Sequence, residues 1–305
     1  MKLYFAPLEG ITGYIFRNAF HKAFNPKIDK YFSPFISPGV NQPLTPKELR
    51  DIHPDNNKDM YLVPQILANN PDDFLLATRY IKELGYDEVN LNLGCPSNTV
   101  VTKCKGSGFL SETYRLEKFL DTIFSKTDMD ISIKTRIGRF DEEEFEELLR
   151  IFNHYTMKEL IIHPRVQQDY YKNKVHMECF LDAFPKSKNP VCYNGDIYTV
   201  ADYEKLTKQC PDLKMVMFGR GVIGNPGLIE EIRTGKPLNM DTFWRFHDEL
   251  LEAYEEALAN NALYKMKELW IYMGKLFPNG DKSLKKIKKA QKMVDYKKAV
   301  ENLQG

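Results

Sequence analysis

Short apolar runs, each followed by a stretch of helical periodicity, recur along the first two thirds of the chain, and few folds accept that pattern. Eight runs can be read, at residues 3–8, 30–35, 61–67, 88–93, 131–136, 159–163, 190–194 and 214–218. Helical patterns fall at 14–23, after Asn70 with Pro71 at the first helical position, at 141–154 and at 199–209. Parallel neighbours need crossover connections of about a dozen residues, usually helices. Eight strand–helix units therefore predict an α/β fold, a (β/α)8 TIM barrel. An open doubly wound sheet competes, but no G-x-G-x-x-G follows an early strand. Residues 37–59, rich in Pro and Asn, are expected to form a long loop over one barrel mouth.

After Gly235 the strand signals stop. Phe243, Phe246, Leu250, Tyr254 and Leu258 form one helical stripe, and Met266, Leu269, Trp270, Met273 and Leu276 a second. Leu284, Ile287, Ala290 and Val294 form a third. Three or four amphipathic helices follow from these stripes, giving a barrel domain over 1–237 and a small helical bundle over 238–305.

Composition narrows the class. In 305 residues, 43% hydrophobic and 28% charged content is that of an ordinary globular protein, and a net charge of +1 indicates no partner by itself. The five cysteines are odd in number and lack CxxC spacing, which argues against a disulfide framework or a zinc ribbon. No run approaches the ~18 apolar residues of a membrane span, and the first residues enter a strand without a basic-then-apolar leader. A reducing cytoplasmic setting, no membrane association and a monomer are expected.

Residues 88–97 carry the strongest sign of chemistry. Polar and apolar side chains alternate through Glu88-Val-Asn90-Leu-Asn92-Leu, and then Gly94 and Pro96 flank one thiol, Cys95. Cys95 is thus presented at the carboxyl end of a strand, where parallel α/β enzymes do their chemistry. The glycines Gly106 and Gly108 follow in a loop that could close over a ligand. The plain alternative is a thiol packed as a small apolar group.

Other polar residues fall at strand ends. Gln65 lies in an apolar strand, where an amide needs partners. Lys134 lies between Ile133 and Thr135, and a lysine inside a barrel must meet an anion or lose its proton. His163 ends the sixth run, followed by Arg165. Asn194-Gly195-Asp196 and Gly219-Arg220-Gly221 end the seventh and eighth, whose loops commonly bind phosphate in this fold. Each has a structural alternative: Lys134 paired with a carboxylate, Gln65 bridging strands, His163 satisfied in the core. Together they suit a phosphorylated cofactor with an electron-rich ring.

The ordered set Ala6-Pro7-Leu8-Glu9, Gln65, Asn92-Leu-Gly-Cys95-Pro-Ser, Lys134, His163-Pro-Arg165, Asn194-Gly-Asp196 and Gly219-Arg220 resembles the motifs of the tRNA-dihydrouridine synthases. The resemblance spans nearly the whole barrel. It implies an FMN-dependent oxidoreductase, with cofactor contacts from Ala6, Pro7, Leu8, Gln65, Asn92, Lys134, His163, Asn194, Gly195, Asp196, Gly219 and Arg220. It further implies that Asn92 lies beside flavin and uracil, with Arg165 on the substrate side, and that the added helical domain helps to hold tRNA. Phe109 departs from the pattern, standing where relatives usually carry a small residue.

On this reading NADPH reduces the flavin, a uridine is flipped out of tRNA, and hydride reaches one carbon of the uracil 5,6 double bond while Cys95 protonates the other. A thiol with an ordinary pKa of roughly 8.5 still holds its proton at neutral pH. Residues 282–292 concentrate lysines, of which Lys285, Lys286, Lys288 and Lys289 are candidate phosphate contacts; a solvated helix face is the alternative. Three competing functions stay open: a dihydroorotate dehydrogenase-like flavoenzyme acting on a free pyrimidine, a Schiff-base lyase using Lys134, and a tRNA-binding protein without chemistry.

Overall fold

The computed structural model describes residues 1–24, 27–39 and 42–304. The chain begins β1 (Lys2–Phe5), α1 (Tyr14–Phe24), β2 (Lys30–Phe32), α2 (Pro46–Ile52), β3 (Leu62–Val63), β4 (Gln65–Ile66), α3 (Pro71–Glu83) and β5 (Glu88–Leu93). It continues through α4 (Asn98–Val101), α5 (Thr113–Lys126), β6 (Asp130–Gly138), α6 (Glu144–Phe152), β7 (Leu160–Val166), α7 (Met177–Ala183) and β8 (Val191–Tyr193). The last part holds α8 (Val200–Gln209), β9 (Met215–Phe218), α9 (Arg220–Gly224), α10 (Leu228–Thr234), α11 (Met240–Leu258), α12 (Ala262–Met273), α13 (Asp281–Lys289) and α14 (Met293–Gln304). Two compact units result. One comprises Met1–Pro7, Ile28–Gly195 and Thr207–Phe218; the other comprises Leu8–Lys27, Asp196–Leu206 and Gly219–Gly305.

The first unit contains the whole sheet, in the order β3-β2-β1-β9-β8-β7-β6-β5-β4, every pairing parallel. The eight runs of the sequence give nine segments because Pro64, with no N–H to donate, splits the third run. Its two halves face opposite neighbours, β3 toward β2 and β4 toward β5. The Pro64 carbonyl still accepts from the Asn90 amide at 2.9 Å, so the ring closes through residues 62–66. The result is the expected (β/α)8 barrel.

The N-terminal end of the barrel interior holds a buried ion cluster. The Lys30 ammonium lies 2.7 Å from a carboxylate oxygen of Glu88 and 2.7 Å from one of Glu159. Burial, and then the neighbouring Glu88 charge, push the Glu159 carboxyl up, with Lys30 opposing them. At the other end, β6 and β7 outrun their expected lengths. The sixth run of the sequence ends at His163, but β7 continues through Pro164 to Val166, with a register shift against β6 between Arg136 and Gly138. Arg165 is therefore a strand residue.

The expected loop over 37–59 contains α2, started by a capping box between Thr45 and Glu48, and a short 3-10 turn at Pro54–Asn56; residues 40–41 lie outside the described residues.

In the second unit, α1 packs its aromatic face on α11, with Phe246 ringed by Phe16 and Phe24 at 5.7 and 5.3 Å between ring centres. The first two apolar stripes of the bundle are buried largely as their periodicity requires. The third is not continuous. α13 ends at Lys289, the backbone turns at Ala290, and Val294 on α14 is 72% exposed. At the bundle's centre the Tyr296 hydroxyl accepts from Trp270 Nε1 at 2.8 Å and lies 2.7 Å from His247 Nε2, joining α14, α12 and α11. Among the described residues no helix is long and apolar enough to cross a membrane.

Candidate active site

The end of β5 is built by side-chain amides. Asn92 Oδ1 accepts from the backbone N–H groups of Gly94, at 3.0 Å, and Cys95, at 2.9 Å, which fixes the turn out of the strand. Its Nδ2 donates to Gln65 Oε1 at 2.7 Å. Gln65 Nε2 in turn donates to Asn90 Oδ1 at 2.8 Å, and Asn90 Nδ2 to Ser132 Oγ at 2.9 Å. These four polar side chains form one ladder across β4, β5 and β6, each oriented by the next. Gln65 does bridge strands, as its structural alternative held, and in doing so it orients Asn92.

Cys95 is half-buried and in no disulfide. Its carbonyl accepts from Ser107 Oγ at 2.8 Å and from the Ser107 amide at 3.1 Å. Gly106 makes that approach possible: its φ is +56°, and a Cβ there would lie 2.8 Å from the Cys95 carbonyl oxygen. From the other side Arg136 Nε donates to the Gly94 carbonyl at 3.0 Å, while its other nitrogens hold the carbonyls of Val166 at 2.8 Å and Tyr170 at 2.7 Å. Phe109 turns into the core against Phe119, ring centres 5.5 Å apart, so its bulk is absorbed away from the thiol's own turn.

Lys134 is the register neighbour of Asn92 on β6. Its ammonium makes no hydrogen bond or ion pair among the described residues. Burial, and then the charge of Arg136, bring its pKa down to about 8. His163 is buried, and its Nδ1–H donates to the Asn194 carbonyl. Burial and the nearby Arg136 and Lys134 charges hold it well below the usual histidine range, so Nε2 is a bare acceptor, facing Arg165 Nη1 at 3.4 Å. Asn194 Nδ2 donates to the Met217 carbonyl at 2.9 Å. Arg165 holds the Asn173 carbonyl with Nε and Nη2, at 2.8 and 2.6 Å, shaping the loop after β7. Within that loop burial pushes the Asp169 carboxyl up, but hydrogen bonds from Asn173, the Val166 amide and His176 outweigh it and leave it lowered.

Ala6 continues β1, its amide 2.7 Å from the Phe218 carbonyl, and Pro7 is half-buried after it. Gly195, beyond β8, has no room for a side chain because the Tyr193 hydroxyl fills that place. In the second unit the Leu8 amide donates to Thr12 Oγ1 at 2.8 Å, closing the turn after β1. Arg220, just after Gly219, is paired with Asp196 at 2.7 Å. Lys285, Lys286, Lys288 and Lys289 are exposed on α13 and unpaired among the described residues. The first two and Lys289 line a groove of about 500 Å³ with Lys298 of α14; Lys288 does not.

The structure thus joins Gln65, Asn92 and Cys95 in one hydrogen-bonded set, with Lys134 alongside, and links His163, Arg165 and Asn194 in another. Sequence reasoning missed Asn90, Ser107 and Arg136. Asn90 and Arg136 stand two residues from Asn92 and Lys134 on their strands, so the period of two could have found them. Nothing local marks Ser107.

The residues fit the electron-rich ring of a flavin: the Lys134 ammonium has no partner among the described residues, and His163 presents a neutral imidazole beside it.

The dihydrouridine synthase family model matches residues 4–304. The chain belongs to the dihydrouridine synthase family. These are FMN oxidoreductases that act on tRNA uridine. Over 241 residues the chain is 28% identical to a tRNA-dihydrouridine(16) synthase of Pseudomonas syringae, covering 76% of this chain and 74% of that protein. It is 25% identical over 260 residues to a probable tRNA-dihydrouridine synthase of Staphylococcus epidermidis, covering 82% and 78%. A tRNA-dihydrouridine(47) synthase [NAD(P)(+)]-like protein of Arabidopsis thaliana is 27% identical over 63% of this chain, which spans 29% of that longer protein. Morphinone reductase in complex with tetrahydroNAD superposes with a TM-score of 0.53 at 14% identity, covering 79% of this chain and 90% of that one, a likeness of fold.

Proposed function

We propose that this chain reduces the 5,6 double bond of uridine in tRNA, with Cys95 as the proton donor. The observation that carries this reading is the pinned turn at Cys95, held by Asn92, Ser107 and Arg136 beside the uncompensated ammonium of Lys134. Ala6, Pro7, Leu8, Gln65, Asn92, Lys134, His163, Asn194, Gly195, Asp196, Gly219 and Arg220 are the proposed FMN-binding residues. The chemistry that FMN supplies when bound and reduced by NADPH is hydride delivery to one carbon of the double bond.

The chain's own groups do the rest. Asn92 spends its carbonyl oxygen on the Gly94 and Cys95 amides, which sets where the thiol points. Cys95 gives its proton from Sγ to the second carbon, and solvent restores it. Lys134 holds an electron-rich edge through its ammonium, and His163, kept neutral, offers Nε2 as an acceptor. Arg165 orders the loop after β7 on the substrate side. Residues 1–237 form the catalytic part and 238–305 the tRNA-binding part, with Lys285, Lys286, Lys288 and Lys289 contacting phosphates. The protein works as a cytoplasmic monomer.

Mass spectrometry of tRNA nucleosides from cells with and without the gene tests the function. Loss of dihydrouridine at a defined position supports it, and unchanged dihydrouridine at every position contradicts it. A purified protein that is colourless and cannot be reconstituted with FMN would contradict the cofactor assignment.

A further inference from the structure

Three segments of the second unit meet around Tyr198: residues 196–198, residues 219–224, and the turn after α12 that carries Lys275. They are packed backbone to backbone. The Ile197 carbonyl occupies the place a side chain at Gly221 would need, and a Cβ at Gly224 would stand 3.5 Å from the Tyr272 carbonyl oxygen. Two cations stand on this base. The Arg220 guanidinium lies 5.5 Å from the centre of the Tyr198 ring, and the Lys275 ammonium lies 5.3 Å from the same ring.

Their charges are not equally committed. Arg220 is paired with Asp196 at 2.7 Å, and the Tyr198 hydroxyl lies 3.5 Å from the same carboxylate oxygen. Lys275 is exposed and makes no ion pair or hydrogen bond among the described residues. Arg220 thus has a carboxylate partner, whereas Lys275 brings its charge to the same aromatic ring without one among the described residues. An aromatic face steadies a cation without neutralising it, so Lys275 is held at the Tyr198 ring while its three donors remain for an anion.

We propose that Lys275, contributed by the helical bundle, is a phosphate-binding residue acting with Arg220 over Tyr198. The ligand is a phosphate group, either of the flavin mononucleotide or of the RNA backbone. The first source rests on the cofactor reading given above; the second does not. The bundle on this view serves the phosphate site beside Arg220 as well as the RNA.

The test uses the full chain as wild type, Lys275→Met and Lys275→Arg. Affinities for FMN and for riboflavin, which lacks the phosphate, are read from quenching of flavin fluorescence; affinity for tRNA is read across a salt series. If the flavin phosphate is the ligand, Lys275→Met weakens FMN about tenfold, leaves riboflavin unchanged, and is rescued by Lys275→Arg. If the RNA backbone is the ligand, FMN is unchanged and the log–log salt slope for tRNA falls by nearly one unit. The proposal is overturned if all three affinities are unchanged, or if FMN and riboflavin weaken together. Wild type that binds no FMN defeats the cofactor reading instead, and leaves the tRNA series to judge Lys275.

Discussion

Lys134 owes its lowered pKa to burial and to Arg136, and both are properties of the fold before any ligand arrives. The unfolded chain holds that proton more tightly than the folded one. The folded protein without cofactor is therefore expected to gain stability as pH rises from about 8 toward the ordinary lysine range, and Lys134→Met to lose that slope in denaturant titrations. An electron-rich ligand prefers the ammonium, so FMN affinity should fall as pH rises through about 8 in wild type and stay flat in Lys134→Met. A wild-type affinity that rises over that range would contradict the role given to Lys134. Gly106→Ala places a Cβ 2.8 Å from the Cys95 carbonyl at a backbone angle that side chains rarely adopt. It should slow uracil reduction at least tenfold while FMN affinity holds, read by single-turnover reoxidation; an unchanged rate would mean that the turn at Cys95 need not be fixed.

The elements show which of these features the sequence made legible. The strand ending at Cys95 follows from the alternation of its side chains, and the barrel from eight strand–helix units, which put Asn92 and Lys134 on neighbouring strands. The extension of β7 past Pro164 follows from neither, because proline ordinarily ends a strand and only the register shift against β6 admits it here. α2 was legible and missed: Thr45, Pro46 and Glu48 spell a capping box with proline at the first helical position. The break at Ala290 has no glycine or proline to announce it, so the apolar stripe was carried on to the exposed Val294. The division of α13 from α14 creates the lysine groove. Replacing Lys285, Lys286, Lys288 and Lys289 with Gln should weaken tRNA binding and flatten its salt slope by nearly one unit per lost contact, leaving flavin reduction by NADPH unchanged. An unchanged slope would return α13 to the status of a solvated helix. Tyr296 binds α14 to α11 and α12, and Tyr296→Phe leaves Trp270 Nε1 and His247 Nε2 without their partner, at a cost of about 1–3 kcal/mol in thermal or denaturant unfolding.

Two half-reactions make different demands on the whole molecule, and this separates the chemistry from the scaffold that supports it. Reduction of the flavin needs the cofactor, the groups that hold it and room for a nicotinamide; the Cys95 thiol contributes nothing to that step. Reduction of uracil needs tRNA bound and a proton delivered opposite the hydride. Cys104 provides the internal control, since it is also half-buried but interacts with the Gly108 carbonyl and with Arg115 of α5. The decisive experiment is anaerobic stopped-flow of Cys95→Ala, first mixed with NADPH and then, once reduced, with tRNA. The flavin should be retained and reduced at the wild-type rate, and tRNA should bind, but reoxidation by tRNA should slow by a hundred- to ten-thousand-fold, on the order expected for loss of a positioned general acid. Cys104→Ala should match wild type in both phases. Dihydrouridine formed at the normal rate by Cys95→Ala, or lost in Cys104→Ala alone, would contradict the assignment of Cys95 as the proton donor.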